Sequence, residues 1–427
     1  MYVETALRPD AQRRVREIRE ADIVVGIPTY KNARTIEMVA RTAAEGVIQA
    51  FPELKPVLVV ADGMSTDDTV RIANGMTLPR PAQKIVTLYQ GLMGKGSALR
   101  AIFEIARGLK ARACIVVDAD LRSIAPPWIR QLAEPILEGA YDFVTPYYSR
   151  HRHEVAINDL LAYPLVRALY GVDLRQPLGG EVGLSGELVD FLVERDVWET
   201  DVARFGIHIW MTTLAINEGW RICQTTLGTK THDFKDPTIG FEPKFLHVVG
   251  TLFRTLSIYR RQWPKIRGSK PVPLRGGLEP VEPEPIPAMR EALREACLKG
   301  IRRFRQGWKA ILTPEHLDAV ARIVARVEAL EEIREEPFFP PDLWARVVFD
   351  FAVVYNKGEG DPDKVVMALL PLYYARKLSF IIETEGMNYQ EVEEVVQAQA
   401  DAFLPLKPYL LERWETYLPW ESVPIIG

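Results

Sequence analysis

Two aspartates separated by one small residue are the most chemically suggestive feature of this sequence. Asp118 and Asp120 follow the apolar run 114–117, which predicts a buried strand of a parallel sheet. In open α/β sheets, ligands bind outside the carboxyl ends of the strands. Two carboxylates at such a position suit Mg²⁺ or Mn²⁺, and a nucleotide diphosphate would supply further ligands. An acidic pair can also simply begin a turn, so its meaning depends on the rest of the chain.

Other polar groups follow other predicted strands. The apolar runs 23–28, 56–62 and 84–89 alternate with helical segments, which predicts βαβ units and a mostly parallel sheet. Lys95 lies between two glycines at a helix start, where an ammonium group and backbone N–H groups can approach a phosphate. This G-K-G segment lacks the Walker A spacing. The first strand also lacks G-x-G-x-x-G, which argues against a nicotinamide-binding Rossmann enzyme. The residues that could form a pocket for a base and ribose are Pro28, Thr29, Tyr30, Asn32 and Asp62.

The composition is typical of a globular protein of about two domains. The chain has 427 residues, of which 48% are hydrophobic and 26% are charged. Its net charge of −4 gives no electrostatic case for binding nucleic acid. Three widely spaced cysteines indicate a reducing compartment. Residues 1–19 do not resemble a signal peptide, and no apolar run is long enough to predict a transmembrane helix. We therefore expect a cytoplasmic protein.

The chain changes character after residue 263. Residues 264–287 are rich in proline, which predicts an extended linker or a strap along the surface. The remaining sequence has helical periodicity at 288–311, 314–333, 341–356, 362–384 and 388–416. We therefore predict an α/β domain at 1–263, a linker at 264–287 and an all-α domain at 288–427. The helical region could also form a homodimer interface.

Five segments, in this order, resemble those of retaining GT-A glycosyltransferases, most nearly the mannosylglycerate and glucosyl-3-phosphoglycerate synthases. The segments are I-P-T-Y-K-N, A-D-G-M-S-T-D-D-T, G-K-G, V-D-A-D and Q-P-L-G-G-E. The resemblance covers about residues 22–250 and implies a GT-A fold, which is a Rossmann-like sheet with helices. It also implies transfer of a sugar from a nucleotide diphosphate. The helical region resembles that of mannosylglycerate synthase around residues 338–352.

The resemblance implies roles at matching positions. Asp118, Asp120 and His232 would bind the metal, with Asp120 favoured as the direct ligand, and Asp118 and Ala119 would also contact the donor. Lys95 would contact the diphosphate. The donor sugar would be lined by Leu178, Gly179, Gly180 and Glu181, with Glu181 holding its hydroxyl groups. A donor phosphate oxygen would accept the acceptor's proton, while the metal and the lysine stabilise the leaving diphosphate.

The sequence also departs from its relatives. His208 stands where they carry an acidic residue, and it could act as a base, bind the acceptor or pack beneath the site. Arg150 matches an arginine of mannosylglycerate synthase and could bind a carboxylate through both nitrogens. Glu154 and Asn158 stand at that enzyme's other acceptor contacts. Ala156 replaces the arginine that binds phosphate in the phosphoglycerate enzymes, although the basic residues 151–153 could compensate.

We therefore expect a metal-dependent, retaining glycosyltransferase. It would transfer glucose or mannose from UDP or GDP to glycerate or a similar small hydroxy acid. Transfer to 3-phosphoglycerate, a polyol or another sugar remains open. A sugar nucleotidyltransferase would need a glycine-rich, basic loop after Ile27, which the sequence lacks. The alternative that is not an enzyme is a module that binds a nucleotide sugar without turnover. It remains open because His208 departs from the family pattern.

Overall fold

The chain forms two compact units, each assembled from three segments. The computed structural model describes residues 5–154, 156–233, 236, 238–329 and 336–419. The first unit, called the sheet unit here, comprises residues 1–149, 178–233 and 272–283. The second, called the helical unit, comprises residues 150–177, 234–271 and 284–427.

The elements are numbered in chain order. The described strands are β1 (Ile23–Thr29), β2 (Pro56–Asp62), β3 (Gln83–Leu88), β4 (Ala113–Val116), β5 (Phe143–Ser149), β6 (Val172–Asp173), β7 (Val182–Ser185), β8 (Ile222–Thr229), β9 (Lys270–Pro271) and β10 (Leu274–Leu278). The described α-helices are α1 (Pro9–Ile18), α2 (Ile36–Ala50), α3 (Thr69–Gly75), α4 (Lys95–Gly108), α5 (Pro126–Leu137), α6 (Tyr163–Tyr170), α7 (Gly186–Val193), α8 (Ile207–Asn217), α9 (Phe241–Ile258), α10 (Arg290–Phe304), α11 (Pro314–Glu328), α12 (Pro341–Lys357), α13 (Pro362–Glu383), α14 (Tyr389–Asp401) and α15 (Lys407–Thr416).

The sheet unit is built on a sheet of eight strands in the order β10-β8-β5-β7-β4-β1-β2-β3. Neighbouring strands are parallel except where β7 pairs with β4 and β5. The predicted α/β class with a mostly parallel sheet is therefore confirmed. The sequence did not predict β7, because its four residues directly follow the Q-P-L-G-G-E turn and lead into a helix.

Alternate residues of the central strands enter two separate cores, one on each face of the sheet. Val24 and Val59 pack in a core with residues of α1, α4, α7 and α8. Val25 and Leu58 pack in the other core with residues of α2, α3 and α5. Burial on both faces explains why these strands are continuous apolar runs, as in other parallel sheets. The same burial makes the ends of these strands recognisable in the sequence, because polar segments begin there.

The proline-rich segment contributes to the sheet, so the units differ from the predicted domains. Within it, β10 pairs in parallel with β8, and the Ser149 hydroxyl donates to the Val281 carbonyl at 2.6 Å. Residues 272–283 therefore belong to the sheet unit. Residues 150–177 and 234–263, which fall in the predicted α/β domain, belong to the helical unit, as do residues 264–271 of the predicted linker. In that unit α9 packs against α12 and α13.

The helical unit contains α6 and α9 to α15, together with the short pair formed by β6 and β9. The predicted helix 388–416 is two helices, α14 and α15, and residues 330–333 of the predicted helix 314–333 lie outside the described residues. Among the described residues, α13 alone is long and apolar enough to cross a membrane, and 89% of its most apolar window is buried. A core helix passes the same test, so its length and composition are weak evidence for a membrane span.

All three cysteines are unbonded and buried. Cys114 and Cys223 lie in the sheet unit, and Cys297 lies in the helical unit. Burial raises the pKa of all three thiols, and for Cys223 and Cys297 it raises the pKa to about 12. The thiolate is the reactive form, so these side chains are chemically inert in the folded protein.

Candidate active site

The predicted donor residues of the sheet unit lie at the carboxyl edge of its parallel strands. Thr29 and Asp62 are paired in register at the ends of β1 and β2. Asp118 follows β4, the neighbour of β1 on the other side. The Ala119 carbonyl accepts a hydrogen bond from the Thr35 hydroxyl at 2.6 Å, which ties the D-A-D segment to the start of α2. Strand ends that are distant in sequence are thus brought to one edge.

Asp118 is held between two lysines. Its Oδ1 contacts the Lys95 ammonium group, and its Oδ2 accepts from Lys230 Nζ at 3.0 Å. Lys230 Nζ also contacts both carboxylate oxygens of Glu181, at 2.7 and 3.0 Å. The Lys230 side chain is 7% exposed and that of Glu181 is fully buried, whereas Lys95 is 23% exposed. The two ammonium groups balance the two carboxylates, so the network leaves neither carboxylate as an uncompensated buried charge.

Two glycines allow the close approach on which this network depends. A Cβ on Gly180 would lie 2.3 Å from Asp118 Oδ2, so only glycine lets the Q-P-L-G-G-E turn reach the carboxylate. A Cβ on Gly96 would lie 1.9 Å from the Val202 carbonyl oxygen. The Gly96 N–H also donates to the Arg204 carbonyl at 2.8 Å. The start of α4, and with it Lys95, is thus fixed against residues 202–204.

The network keeps Asp118 ionised. Burial disfavours the charged form of Asp118, but Lys95 and Lys230 outweigh burial and hold the pKa well below its usual value. His208, buried near the start of α8, also lowers the pKa of Asp118 through its charge, so it lies within electrostatic range. Burial raises the pKa of Glu181, and the Asp118 charge adds to the rise against the effect of Lys230. Lys230 is therefore the cation that compensates the negative charge of the buried Glu181 side chain.

Asp120 and His232 are brought close by their backbones. Leu121 forms an isolated antiparallel bridge with His232, and the Arg122 N–H donates to the Thr231 carbonyl at 2.9 Å. His232 Nδ1 lies 2.9 Å from the Asp233 carbonyl oxygen. A proton on Nδ1 would donate to that oxygen, and this tautomer places the imidazole lone pair on Nε2, as in many metal-binding histidines.

The described residues contain no group of three acidic, histidine or cysteine side chains that could hold a metal. The predicted set of Asp118, Asp120 and His232 is not assembled as three ligands, because the two lysines take up the Asp118 oxygens. Asp120 and His232 are still suitable as the ligands that the protein supplies. Diphosphate oxygens and water would complete the coordination, as is common for such cations. The metal-binding role of each residue stays a prediction.

The loops after β1 and β2 are hydrogen-bonded to each other. The Asp62 carboxylate accepts from the Thr29 hydroxyl at 2.9 Å and from the Ser65 N–H and hydroxyl at 2.7 Å each. Asn32 Oδ1 accepts from the Tyr30 N–H at 2.9 Å. Asp62 and Asn32 therefore shape these loops, whereas the Tyr30 ring is 52% exposed and offers a surface for stacking.

The predicted acceptor residues lie in the helical unit. Arg150 Nε contacts Glu154 Oε2 at 3.4 Å. Asn158 is buried, and its amide donates to Asp159 Oδ1 and to the Arg175 carbonyl, each at 3.2 Å. Asn158 also opens a π-helical turn, Asn158–Ala162, a local geometry that is frequent at functional sites. Their roles in acceptor binding stay predictions.

Lys230 was not among the residues predicted from the sequence. This residue directly follows β8, so its place after a strand was a usable signal, as it was for Asp62 and Asp118. Its partners could not be predicted, since Asp118 and Glu181 are 112 and 49 residues away in sequence.

Residues 24–163 match the family described as "Glycosyl transferase family 2". This segment contains β2 to β5, β1 apart from its first residue, and the D-A-D motif, so the glycosyltransferase class predicted from the sequence is confirmed. No curated protein matches the chain.

Among solved structures, the chain is similar to glucosyl-3-phosphoglycerate synthase from Mycobacterium tuberculosis. The complex of that enzyme with phosphoglyceric acid shares 22% identity with a TM-score of 0.43, covering 58% of this chain and 86% of the other. Its complex with Mn²⁺, UDP-glucose and phosphoglyceric acid shares 22% identity with a TM-score of 0.42, covering 59% and 86%. Its complex with Mg²⁺ and UDP also shares 22% identity with a TM-score of 0.42, covering 56% and 82%. Likenesses at this level support no statement about this chain's substrates.

Proposed function

We propose that the protein transfers glucose or mannose from UDP or GDP to a small hydroxy acid, with retention of configuration at the sugar. The observation that supports this most is the contact between Lys95 and Asp118, at the start of α4 and the carboxyl edge of the sheet. An ammonium group at the N-terminal end of a helix is a favourable place for a diphosphate, because the helix dipole adds to its positive charge. The partial exposure of Lys95 lets a ligand phosphate reach it.

The residues of the network would have different roles in donor binding. Lys95 would bind the diphosphate and stabilise the charge that develops on the leaving group. Lys230 would stay with Glu181, because both side chains are buried. Asp118 would keep the two ammonium groups in place, and Glu181, with Leu178 and Gly179 before it, would face the donor sugar.

Asp120 and His232 would hold Mg²⁺ or Mn²⁺, whose charge stabilises a leaving diphosphate. Carboxylate oxygen is a good ligand for both ions. The chain supplies few ligands of its own here, so the bound nucleotide would complete the coordination. Metal affinity should therefore rise when nucleotide is present.

Arg150 would bind the carboxylate of the acceptor, with glycerate as the simplest candidate. Its side chain is 27% exposed, and a guanidinium can form two parallel hydrogen bonds with a carboxylate. Glu154, which holds the guanidinium, would set its orientation. Ala156 provides no second guanidinium for a phosphate, which favours glycerate over 3-phosphoglycerate.

A matrix of donors against acceptors tests this function. UDP-glucose, UDP-mannose, GDP-glucose and GDP-mannose are each incubated with glycerate, 3-phosphoglycerate, glycerol or glucose, with Mg²⁺ or Mn²⁺. Released nucleoside diphosphate and the anomeric configuration of the product are measured. We expect release that depends on glycerate and an α-linked product from an α-linked donor. Formation of sugar 1-phosphate from pyrophosphate would indicate a nucleotidyltransferase instead, and donor binding without turnover would indicate a binding module.

We also propose a cytoplasmic location and a homodimer formed through the helical unit. The buried, unbonded cysteines support the first proposal, since a reducing compartment keeps thiols in this state. Light scattering on the purified protein tests the second, and a monomeric mass would contradict it.

A further inference from the structure

A surface cavity of about 750 Å³ lies in the sheet unit, at the edge of the sheet opposite to the candidate active site. Its lining includes Arg112, Asp142 and Arg221, which directly precede β4, β5 and β8. Asp118, by contrast, follows β4. The cavity is therefore at the amino ends of these parallel strands. Its size is in the range of about 300–1,000 Å³ that is usual for small-molecule sites.

Hydrogen bonds between the segments that connect the strands shape the cavity. The Arg221 guanidinium donates to both carboxylate oxygens of Asp142, at 2.8 and 2.7 Å. The Gly186 N–H donates to the Arg112 carbonyl at 3.1 Å. A Cβ on Gly186 would lie 2.6 Å from the Ala111 carbonyl oxygen, so the start of α7 packs directly on the segment before β4. The walls are thus formed by the fold itself, as in most ligand sites.

The charged residues that line the cavity are four basic and three acidic ones. The basic residues are Arg107, Lys110, Arg112 and Arg221, and the acidic residues are Asp142, Glu187 and Asp190. Asp142 compensates the charge of Arg221. Arg107 pairs with Asp190 at 3.7 Å and with Glu194, outside the lining, at 2.9 Å. The charges of these two arginines are therefore already balanced.

Lys110 and Arg112 are the cations of the lining that have no carboxylate partner. Both are exposed, and in the described part of the chain neither side chain forms a hydrogen bond or an ion pair. Lys110 lowers the pKa of Glu20 through its charge, but Glu20 forms its ion pair with Lys55. Glu187, the remaining acidic residue of the lining, has no ion pair with a described residue either. Two cations and one anion are left without an ion pair, which favours an anionic ligand.

These side chains suit a phosphate group on a carbon skeleton. The planar fork of Arg112 can bind two phosphate oxygens, and the Lys110 ammonium group can donate to a third. Tyr141 and Trp220 add two partly buried aromatic side chains to the lining, each with apolar surface and a polar group. The Trp220 ring is held by an edge contact with Phe191, at 5.3 Å between ring centroids.

We propose that this cavity binds a phosphorylated small molecule, a sugar phosphate or a phosphorylated polyol, and that Lys110 and Arg112 hold its phosphate group. A phosphate ion alone would fill little of the cavity, so the rings contact the carbon skeleton. The site is separate from the candidate active site, and its existence does not rest on the proposed function.

Calorimetric titration of the full chain tests the proposal, with UDP and Mg²⁺ in excess to occupy the candidate active site. The probes are glucose 6-phosphate and glycerol 3-phosphate. Inorganic phosphate, glucose and glycerol are the controls, each of which lacks one part of the expected ligand. We expect at least one organic phosphate to bind at one site per chain and more tightly than each control.

Substitutions in the lining locate the site. Lys110→Met and Arg112→Gln should each weaken the Kd about tenfold, because each removes a charged donor to the phosphate. Glu187→Gln should strengthen binding, because it removes a negative charge from the lining. The matched control is Arg13→Gln, at an exposed arginine of α1 outside the lining, which should bind as wild type. All four side chains are exposed, so an unchanged Tm should show that the variants are folded.

The possible outcomes are distinct. No binding of either organic phosphate at millimolar concentration overturns the proposal, as does equal affinity in wild type, Lys110→Met and Arg112→Gln. Inorganic phosphate that binds as tightly as the organic phosphates overturns the assigned class of ligand. Binding that is lost in Arg150→Ala but kept in Arg112→Gln overturns the assigned place, since the ligand would then occupy the predicted acceptor contact. Sugar transfer is not measured, so a failure of the proposed function leaves this test unaffected.

Discussion

The two aspartates of the D-A-D motif have different surroundings although one residue separates them. Asp118 is enclosed with two lysines and stays ionised through their charges. Asp120 lies beside the segment that carries His232. We infer that Asp118 organises cationic side chains and that Asp120 is the residue for a metal. The sequence assigned metal binding to both aspartates, with Asp120 favoured as the direct ligand, but no local signal shows which carboxylate a distant lysine will contact.

Asp120→Asn should remove metal-dependent turnover. The substitution deletes a negative charge next to the backbone bridge between Leu121 and His232, with little change in size. We expect kcat to fall by about two orders of magnitude or more, since metal stabilisation of a leaving group is worth several kcal/mol. Turnover is measured across a Mn²⁺ titration. Wild-type rates in the variant, or full wild-type activity in excess chelator, would contradict the assignment.

Arg150→Ala should weaken acceptor binding selectively. We expect the acceptor KM to rise by one to two orders of magnitude, because a contact with a charged group contributes roughly 1.5–3 kcal/mol. Donor hydrolysis without acceptor should stay nearly constant. Arg302→Ala, at an exposed arginine of α10, is the control. An unchanged KM would leave Arg150 with a structural role, in which a pair such as that with Glu154 is worth about 0–1 kcal/mol to stability.

At the scale of elements, α4 and the segment after β8 each supply one lysine to Asp118, and the two lysines should respond differently to substitution. Lys230→Met leaves Glu181 buried without its cation, which should lower the free energy of unfolding by about 3–5 kcal/mol. Lys95→Met leaves Asp118 paired with Lys230 and should change stability little, while donor affinity falls. Urea unfolding and UDP titration of both variants measure this contrast. Equal stability losses would show that both lysines are structural.

Gly180→Ala tests the contact between the Q-P-L-G-G-E turn and Asp118. The added methyl group must displace the carboxylate or the turn, and overpacking of this kind costs about 1–3 kcal/mol. We expect lower kcat/KM together with lower stability. Gly75→Ala is a matched control, because its Cβ would meet nothing within 4 Å. Normal activity in Gly180→Ala would show that the turn can move without consequence.

The sequence predicted the buried strands well and the short or exposed ones poorly. β1 and β2 are buried throughout, so their apolar runs are clear. β7 has four residues, too few to distinguish a strand from a turn. β10 lies in a proline-rich segment with two glycines and exposed side chains, so it has no hydrophobic pattern to detect. The partners of Asp118 were equally unpredictable, since the fold alone brings them together.

At the scale of the whole molecule, neither unit is a continuous piece of chain. A protein truncated after residue 263, the predicted end of the α/β domain, would lose β10 from the edge of the sheet. It would also keep α9 without α12 and α13, which normally cover its apolar face. We expect this truncation to aggregate, as judged by size-exclusion chromatography. A soluble fragment with native circular dichroism would show that the α/β part folds alone.

The buried cysteines give each unit its own reporter of local opening. A thiol reagent added to the native protein reacts only when a thiol becomes exposed and ionised, so the labelling rate follows the opening of the surrounding structure. Cys114 lies on β4 beside the D-A-D motif, and Cys297 lies on α10. Mass spectrometry of peptides containing either residue would thus time the opening of the sheet unit and the helical unit separately, in one unmodified protein. A ligand that slows labelling at Cys297 alone would reveal stabilisation confined to the helical unit.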